Sequence, residues 1–352
     1  MRLGISLLTL VPRISGGSET YARQLVRALG AVGVHEYRVL LPRIAQDVDG
    51  LPSEVVDDYR ASRSMPGRML AMAEGVVRGR RLRSRLAGLD AVHFPLTVMI
   101  PPVSRPPAVT TVLDLQHEFL PQFFSRAERL YRRVAYTSAV RRSALVMTIS
   151  EHAARAVVER LGIPESRVRP IHLGIDHAVF RPGEDMRERF LVYPARGWPH
   201  KNHARLFDAF AVLREQHPDL ELLLTAYEGP TPAGARSLGH VPLTELVHLY
   251  RTAAGLVFPS EYEGFGQPPL EAMACGCPVA CSDAGSLPEV CGDAARLFDP
   301  TSVDAMVEAV EEILARPAEW SARGIERAAQ FSWEKTARAH DAVYSELAGL
   351  SV

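Results

Sequence analysis

The sequence predicts two α/β domains of the doubly wound type. Three observations carry this expectation. The chain has 352 residues, about twice the size of an ordinary domain. Short apolar runs of strand length alternate with helical stretches from end to end. A segment of Pro, Gly and charge near Phe180–Asp185 interrupts the series, which then begins again.

In the first half, 2–10 reads as a buried strand that runs up to Pro12 and Arg13. Its apolar run is too short for a leader peptide and lacks a cleavage site. A turn at Gly16–Gly17 precedes a helix over 19–29, with Tyr21, Leu25 and Leu29 at helical spacing. Strands follow at 37–41, 91–94, 108–113 and 145–149. Ser150 is placed to cap a helix over 151–161. An arginine-rich helix is expected over 68–89. It is read as a solvated surface helix or as a docking face for an anionic membrane or acceptor, without aromatic anchors.

In the second half, strands are expected at 190–194, 220–226, 255–259 and 278–281. Helices are expected at 203–216, 244–251, 268–275 and 302–315. The domains are therefore expected at 1–182 and 183–332, with a last helix from 333 onward that crosses back to the first domain.

Composition excludes several classes. Apolar content of 47% and charged content of 23% are those of a folded globular chain. The formal net charge of −1 gives no bulk preference for nucleic acid. Charge is unevenly divided, with 26 Arg against 16 acidic residues in 1–182 and a net −11 in the rest. A basic first half suggests an anionic partner, including peripheral membrane contact. Lys201 and Lys335 are the only lysines among 40 basic residues, so lysine at these two places stands out. Cys275, Cys277, Cys281 and Cys291 match no zinc spacing and read as buried thiols in a reducing cytoplasm.

Two segments carry most of the chemistry. In PSEYEGFGQPPLEAMACGCPV and the following SLPEV, Glu263 and Glu271 are separated by Gly264, Phe265, Gly266, Gln267 and a Pro-Pro-Leu run ending at Leu270. Glycines let the backbone approach a ligand. A helix starting near Pro268 is expected to present N–H groups to a phosphate. The second segment, YPARGWPHKN, follows a strand and offers Arg196 and Lys201. Fixed cations of this kind stabilise a leaving group that gains negative charge. His200 and His203 read as loop and helix-start residues.

These segments resemble the retaining GT-B glycosyltransferases of the large bacterial mannosyl- and glucosyltransferase family (glycosyltransferase family 4, glycosyl transferases group 1). The resemblance implies two Rossmann-like domains facing a central cleft. It implies transfer of a hexose from a nucleoside diphosphate donor, GDP-mannose or UDP-glucose, to an acceptor hydroxyl. The acceptor class is a saccharide, a lipid-linked glycan or a small molecule. It assigns Arg196 and Lys201 to the diphosphate, Glu263 to the sugar and Glu271 to the ribose hydroxyls. Gly16 and Gly17 would cover the phosphates, and Val241 in LGHVP would bracket the base. LDLQHEFLPQFFS resembles an acceptor-side loop, making His117 a candidate near the reacting carbon, although Leu113 stands where the family often has histidine. No cofactor and no metal are expected, since no Asp-x-Asp triplet occurs. The alternatives are a silent nucleotide-sugar-binding scaffold and an epimerase on the same fold. The expected location is cytoplasmic, at or near the inner membrane face.

Overall fold

A computed structural model describes residues 1–12 and 16–349. Arg13, at the end of the first apolar run, lies outside the described residues. The chain divides into two compact units. One comprises Met1–Gly174 together with the chain from Trp333 onward, and the other is Ile175–Ser332. The expected boundary at 182 therefore falls inside the second unit. The peptide preceding the RPGED break already belongs there, through the pairing of Ile175 with Ser332 and the bond of His177 to the Phe331 carbonyl.

The first unit contains β1 (Arg2–Ser6), α1 (Gly17–Val32), β2 (Glu36–Pro42), β3 (Ser53–Val56), α2 (Met65–Val77), α3 (Gly79–Ser84), β4 (Ala91–Phe94) and β5 (Ala108–Val112). It continues with α4 (Gln116–Phe119), α5 (Arg126–Arg142), β6 (Leu145–Thr148), α6 (Glu151–Leu161) and β7 (Val168–Pro170). The sheet is parallel throughout, in the order β3-β2-β1-β4-β5-β6-β7. Such strands are buried on both faces, which explains why they read as continuous apolar runs.

The second unit contains β8 (Phe190–Pro194), α7 (His203–Gln216), β9 (Glu221–Thr225), β10 (Ala235–Gly239), α8 (Leu243–Thr252), β11 (Gly255–Phe258), α9 (Gln267–Ala274), β12 (Val279–Ser282), α10 (Leu287–Cys291), β13 (Arg296–Phe298), α11 (Val303–Ala315) and α12 (Pro317–Ala328). Its order, β10-β9-β8-β11-β12-β13, repeats the 3-2-1-4-5-6 pattern. The four cysteines are buried thiols in and beside this sheet, with Cys281 Sγ 3.7 Å from Cys291 Sγ.

The sequence reading has no counterpart for β3, α4, β7, β10, α10, β13 and α12, and it differs in three further places. The first strand ends at Ser6, not at residue 10, because Leu7 and Leu10 turn back on each other through a 2.9 Å main-chain bond. The arginine-rich stretch forms two helices that part at Arg78, whose ψ of 11° leaves the helical region. Helix α5 was absent from the sequence reading. It is opened by a capping box in which Ser125 and Glu128 each accept from the other's main chain.

The last helix, α13 (Trp333–Gly349), packs on α1 and on the first sheet. A buried polar chain fixes it there. Tyr344 Oη lies 2.8 Å from His93 Nδ1, and His93 Nε2 lies 2.8 Å from Thr111 Oγ1. Thr111 meets Tyr21 Oη at 3.0 Å, and Tyr21 meets His340 Nε2 at 3.1 Å. Asp341 accepts from Val34 N and from Tyr37 Oη. Buried groups paired in this way specify one docking register, since any slip leaves several of them unsatisfied.

Burial holds the His93 imidazole well below its ordinary range, with His340 acting in the same direction, and brings His340 down to about 4. The unfolded chain therefore binds protons below about pH 6.5 that the native chain refuses, so stability is full above that value and falls as the pH drops toward 4. His340 alone accounts for on the order of 3 kcal/mol across this window. Calorimetric melting at about pH 7.5 and about pH 5 should show a clear loss for the parent chain and a smaller one for His340→Gln. An equal loss in both would remove His340 as the cause.

Candidate functional site

In an open parallel sheet, ligands bind outside the carboxyl ends of the strands where the strand order reverses. In the second unit that point lies between β8 and β11. The loops leaving these two strands are Ala195–Asn202 and Pro259–Gly266, the same two segments singled out by their residues.

At this point Lys201 Nζ lies 2.5 Å from Glu263 Oε1, and both side chains are 14% exposed. The ammonium also sits 5.3 Å from the centre of the Phe258 ring, at the end of β11. Two partly enclosed charges of opposite sign hold each other strongly, because little water screens them. Neighbouring bonds fix the loops that carry them. Tyr193 Oη donates to the Lys201 carbonyl at 2.6 Å. Asn202, with φ of 61°, ties to the carbonyls of Pro259 at 3.1 Å and Pro300 at 2.8 Å. Arg205 bridges the loops by bonding Asn202 Oδ1 at 3.0 Å and Glu261 Oε1 at 2.6 Å. Glu261 N donates to the His200 carbonyl at 2.8 Å.

The backbone of Glu263 is held from the other side. Ser286 donates to its carbonyl through N at 3.2 Å and through Oγ at 3.1 Å. Gly285 lies so close that a Cβ there would be 2.6 Å from the Glu263 oxygen. Gly266 caps α9 with φ of 102°, and a Cβ there would sit 2.6 Å from Leu287. Ser286 and Gly285 were not among the expected site residues. The SLPEV run begins at Ser286, and Gly285 lies just before it.

The remaining expected residues are placed differently from one another. Arg196 lies on the Lys201 loop but is exposed, with its guanidinium 5.5 Å from the Trp198 ring. Gly264 and Gln267 are half-buried beside Glu263. Phe265 is buried edge-on against Phe331, 6.1 Å between ring centres, and Leu270 is fully enclosed. These two build the wall of the unit, and their side chains do not face outward. The start of α9 is poorer in donors than expected. Pro268 and Pro269 carry no N–H, and Leu270 N is engaged by the Gly266 carbonyl at 3.4 Å. Within the first turn the residues that carry a main-chain N–H are therefore Gln267 and Leu270.

Glu271 is half-buried and accepts from Tyr250 Oη at a long 3.4 Å. Burial raises its carboxyl to about 8, partly offset by that bond. Tyr250 lies on α8, 21 residues away in sequence, which is why the motif gave no hint of it. Val241 is half-buried next to Gly239, whose carbonyl accepts from Ala226 N at 2.5 Å. His203 stacks on Tyr227 with ring centres 4.4 Å apart, and burial brings it down to about 4. Among the described residues, no three His, Cys, Asp or Glu side chains are grouped to hold a metal ion.

In the first unit, Gly16 has φ of 50° and opens α1, with Gly17 as the first helical residue. No side chain or backbone approaches either position within 4 Å of a built Cβ. Glu19 pairs with Arg23 at 3.0 Å. His117, on α4 beyond β5, is 2% exposed, and neither ring nitrogen has a hydrogen-bond partner among the described residues. Its ring meets Tyr136 edge-on at 5.4 Å. Burial, reinforced by Arg132, lowers its imidazole, so it is neutral at neutral pH.

Sequence comparison accords with this arrangement. The profile of the Glycosyl transferases group 1 matches residues 175–331, and that of Glycosyltransferase Family 4 matches 15–179. The chain is 32% identical over 256 residues to the O-antigen chain mannosyltransferase B of Escherichia coli, spanning 64% of this chain and 67% of that protein. It belongs to this glycosyltransferase family. The family 4 enzyme is also 30% identical to an MMP alpha-(1->4)-mannosyltransferase of Mycolicibacterium hassiacum, over 57% of its own length and 54% of that relative. Thus it spans about half to two thirds of the length of these relatives. Its fold is the GT-B type, similar to that of a sucrose-phosphate synthase from Thermosynechococcus elongatus, with a TM-score of 0.80, 21% identity and full coverage of both chains.

The Lys201–Glu263 pair makes a stability prediction. Replacing either partner by alanine leaves the other charge poorly solvated and should cost roughly 3 kcal/mol. Removing both should recover much of that loss. Urea melts of the four-member cycle measure this, and simple additivity of the two single losses would show that the charges do not interact.

Proposed function

We propose that this glycosyltransferase moves a hexose from a nucleoside diphosphate sugar, bound by the second unit, to a hydroxyl of a saccharide or lipid-linked acceptor taken by the first, with retention at the anomeric carbon. The observation that supports it best is the Lys201–Glu263 pair at the strand-order reversal. Departure of the nucleoside diphosphate leaves negative charge on the phosphate oxygens. A cation already held at the site needs only a side-chain rotation to meet that charge. In this reading Lys201 turns from Glu263 to the diphosphate, joined by Arg196 and the Gln267 amide. The carboxylate so released accepts hydrogen bonds from the sugar hydroxyls. No metal is needed in this scheme, because the chain's own cations carry the charge.

The mannosyltransferase activities of the Escherichia coli and Mycolicibacterium relatives favour mannose, and therefore GDP-mannose over UDP-glucose. The O-antigen relative favours a growing glycan as acceptor. Four reduced, buried cysteines fit a reducing cytoplasm. His117, neutral and enclosed, would supply one hydrogen bond near the reacting carbon once the acceptor loop admits the sugar. Gly16–Gly17 and Val241 would meet the phosphates and the base through their backbones.

Lys201→Ala and Glu263→Gln should each lower kcat by about 10²–10³. Release of GDP from GDP-mannose, with and without a mannose-terminated acceptor, is the assay. Near-parental turnover in both variants would overturn the site. Parental binding of GDP-mannose with no GDP release by the parent chain would instead mark a silent scaffold.

Glu271 gives a pH test. Ribose hydroxyls bind the ionised carboxylate, while burial keeps the group protonated up to about pH 8. Donor binding should therefore release a proton. Affinity should rise with pH by up to about tenfold per unit below 8 and level off above it. Titration calorimetry with GDP at about pH 6.5 and about pH 8.5 measures this. Glu271→Gln should bind more weakly and lose the slope, and a slope retained in that variant would assign the proton elsewhere.

A further inference from the structure

Helix α2 is turned inside out. The residues that repeat at helical spacing along its outer side are Pro66, Met69, Leu70, Ala73, Val76 and Val77, and all six are exposed. Leu70 is 63% and Val77 85% exposed. The inner side carries small residues and the half-buried Met72, which packs on the core. Ala71 is buried, and a Cβ on Gly75 would meet Ile100 at 3.0 Å and Tyr59 at 3.4 Å. A surface helix normally shows the reverse arrangement, apolar in and polar out. The exposed stripe runs for about 17 Å along the helix.

Charge identifies what covers it. Residues 60–85 hold eight arginines and one acidic residue, Glu74. Arg85 is paired with Glu54 and Asp58, but Arg78, Arg80 and Arg81 have no carboxylate partner among the described residues. Arg80 and Arg81, on α3 just past the break at Arg78, are likewise exposed. Helix α5 adds to the pattern. It packs over the same apolar core through Ala139, as α2 does through Ala71, and it exposes Leu130 and Val134 among Arg126, Arg129 and Arg133.

We propose that the outer face of α2 inserts its apolar stripe into the interfacial layer of an anionic bilayer, with Arg78, Arg80 and Arg81 meeting the lipid phosphates. An apolar face bordered by arginine, on a helix lying parallel to the surface, has the chemistry of an interfacial helix. Negative lipid headgroups add attraction for each arginine near the surface. A second copy of this chain fits less well, since pairing the stripes would set two arginine-rich segments against each other. The proposal is independent of which sugar is moved.

Co-sedimentation tests it, using vesicles of phosphatidylcholine with about one-third phosphatidylglycerol against pure phosphatidylcholine. The whole chain should partition to the anionic vesicles at least roughly tenfold better, and about 0.5 M salt should weaken the binding. Leu70→Glu with Val77→Glu, and separately Arg80→Glu with Arg81→Glu, should each reduce the partition roughly tenfold or more while donor turnover in solution stays unchanged. Leu70→Ser with Val77→Ser is the milder pair should the glutamates disturb folding, and it should still weaken binding several-fold. No partition to anionic vesicles would overturn the proposal, as would equal partition by the stripe variants. A lipid-free dimer that dissociates in the Leu70/Val77 variants would also overturn it, by assigning the stripe to a second copy.

Discussion

The candidate site depends on one contact, the ion pair between Lys201 and Glu263. These residues are 62 positions apart and meet because β8 and β11 are neighbours in the sheet although β9 and β10 intervene in the chain. Every other bond around them serves to keep the two loops in place. Asn202, Arg205, Glu261 and Ser286 form a frame of short hydrogen bonds that spans the strand ends. Loops fixed in such a frame stay in place when a charged ligand arrives, so the two side chains need only change partners, and a scaffold held in this way limits the cost of that change.

Both units also use burial to keep ionisable groups uncharged. In the second unit Glu271 and His203 are shifted toward their neutral forms, and in the first unit His93, His117 and His340 are. The cause is common to all five, since a charge loses solvation in an enclosed place. The outcomes differ with the partners available. His93 and His340 are hydrogen-bonded into the docking of α13 and serve architecture. Among the described residues, the Glu271 carboxylate has a long bond from Tyr250 and the His117 ring has no hydrogen bond. Buried groups left so poorly satisfied are unusual in a stable fold, and they are the ones that gain most from a hydrogen-bonding ligand.

The first unit combines a well-packed parallel sheet with an outer layer that breaks the usual rule of polar surfaces. Val92, Phe94 and Leu40 of the sheet lie in the same apolar core as Ala71 of α2, whose outer side is left apolar beside a line of arginines. The inner contact is made by Ala71, Gly75 and the half-buried Met72, with Gly75 lying close to Ile100 and Tyr59. Met69, Leu70, Val76 and Val77 of the same helix face outward.

The sequence by itself determined the class of fold, the alternation of elements and the pair of loops that bear the charged residues. It did so because buried parallel strands are apolar throughout and because glycine, proline and charge punctuate them. Strands β4 and β8 and helices α6 and α7 were legible residue for residue. Helix α5 was not, since its 17 residues include six arginines and its apolar side chains give no clear stripe. What only the tertiary structure decided was contact between distant segments: Lys201 with Glu263, Tyr250 with Glu271, Ser286 with the Glu263 backbone, and the polar chain that fastens α13 to the first sheet. It also decided direction. A helical period is the same whether its apolar stripe faces a core or faces out, so the exposed side of α2 and the enclosed side chains of Phe265 and Leu270 depend on what packs beside them, which one-dimensional spacing does not encode.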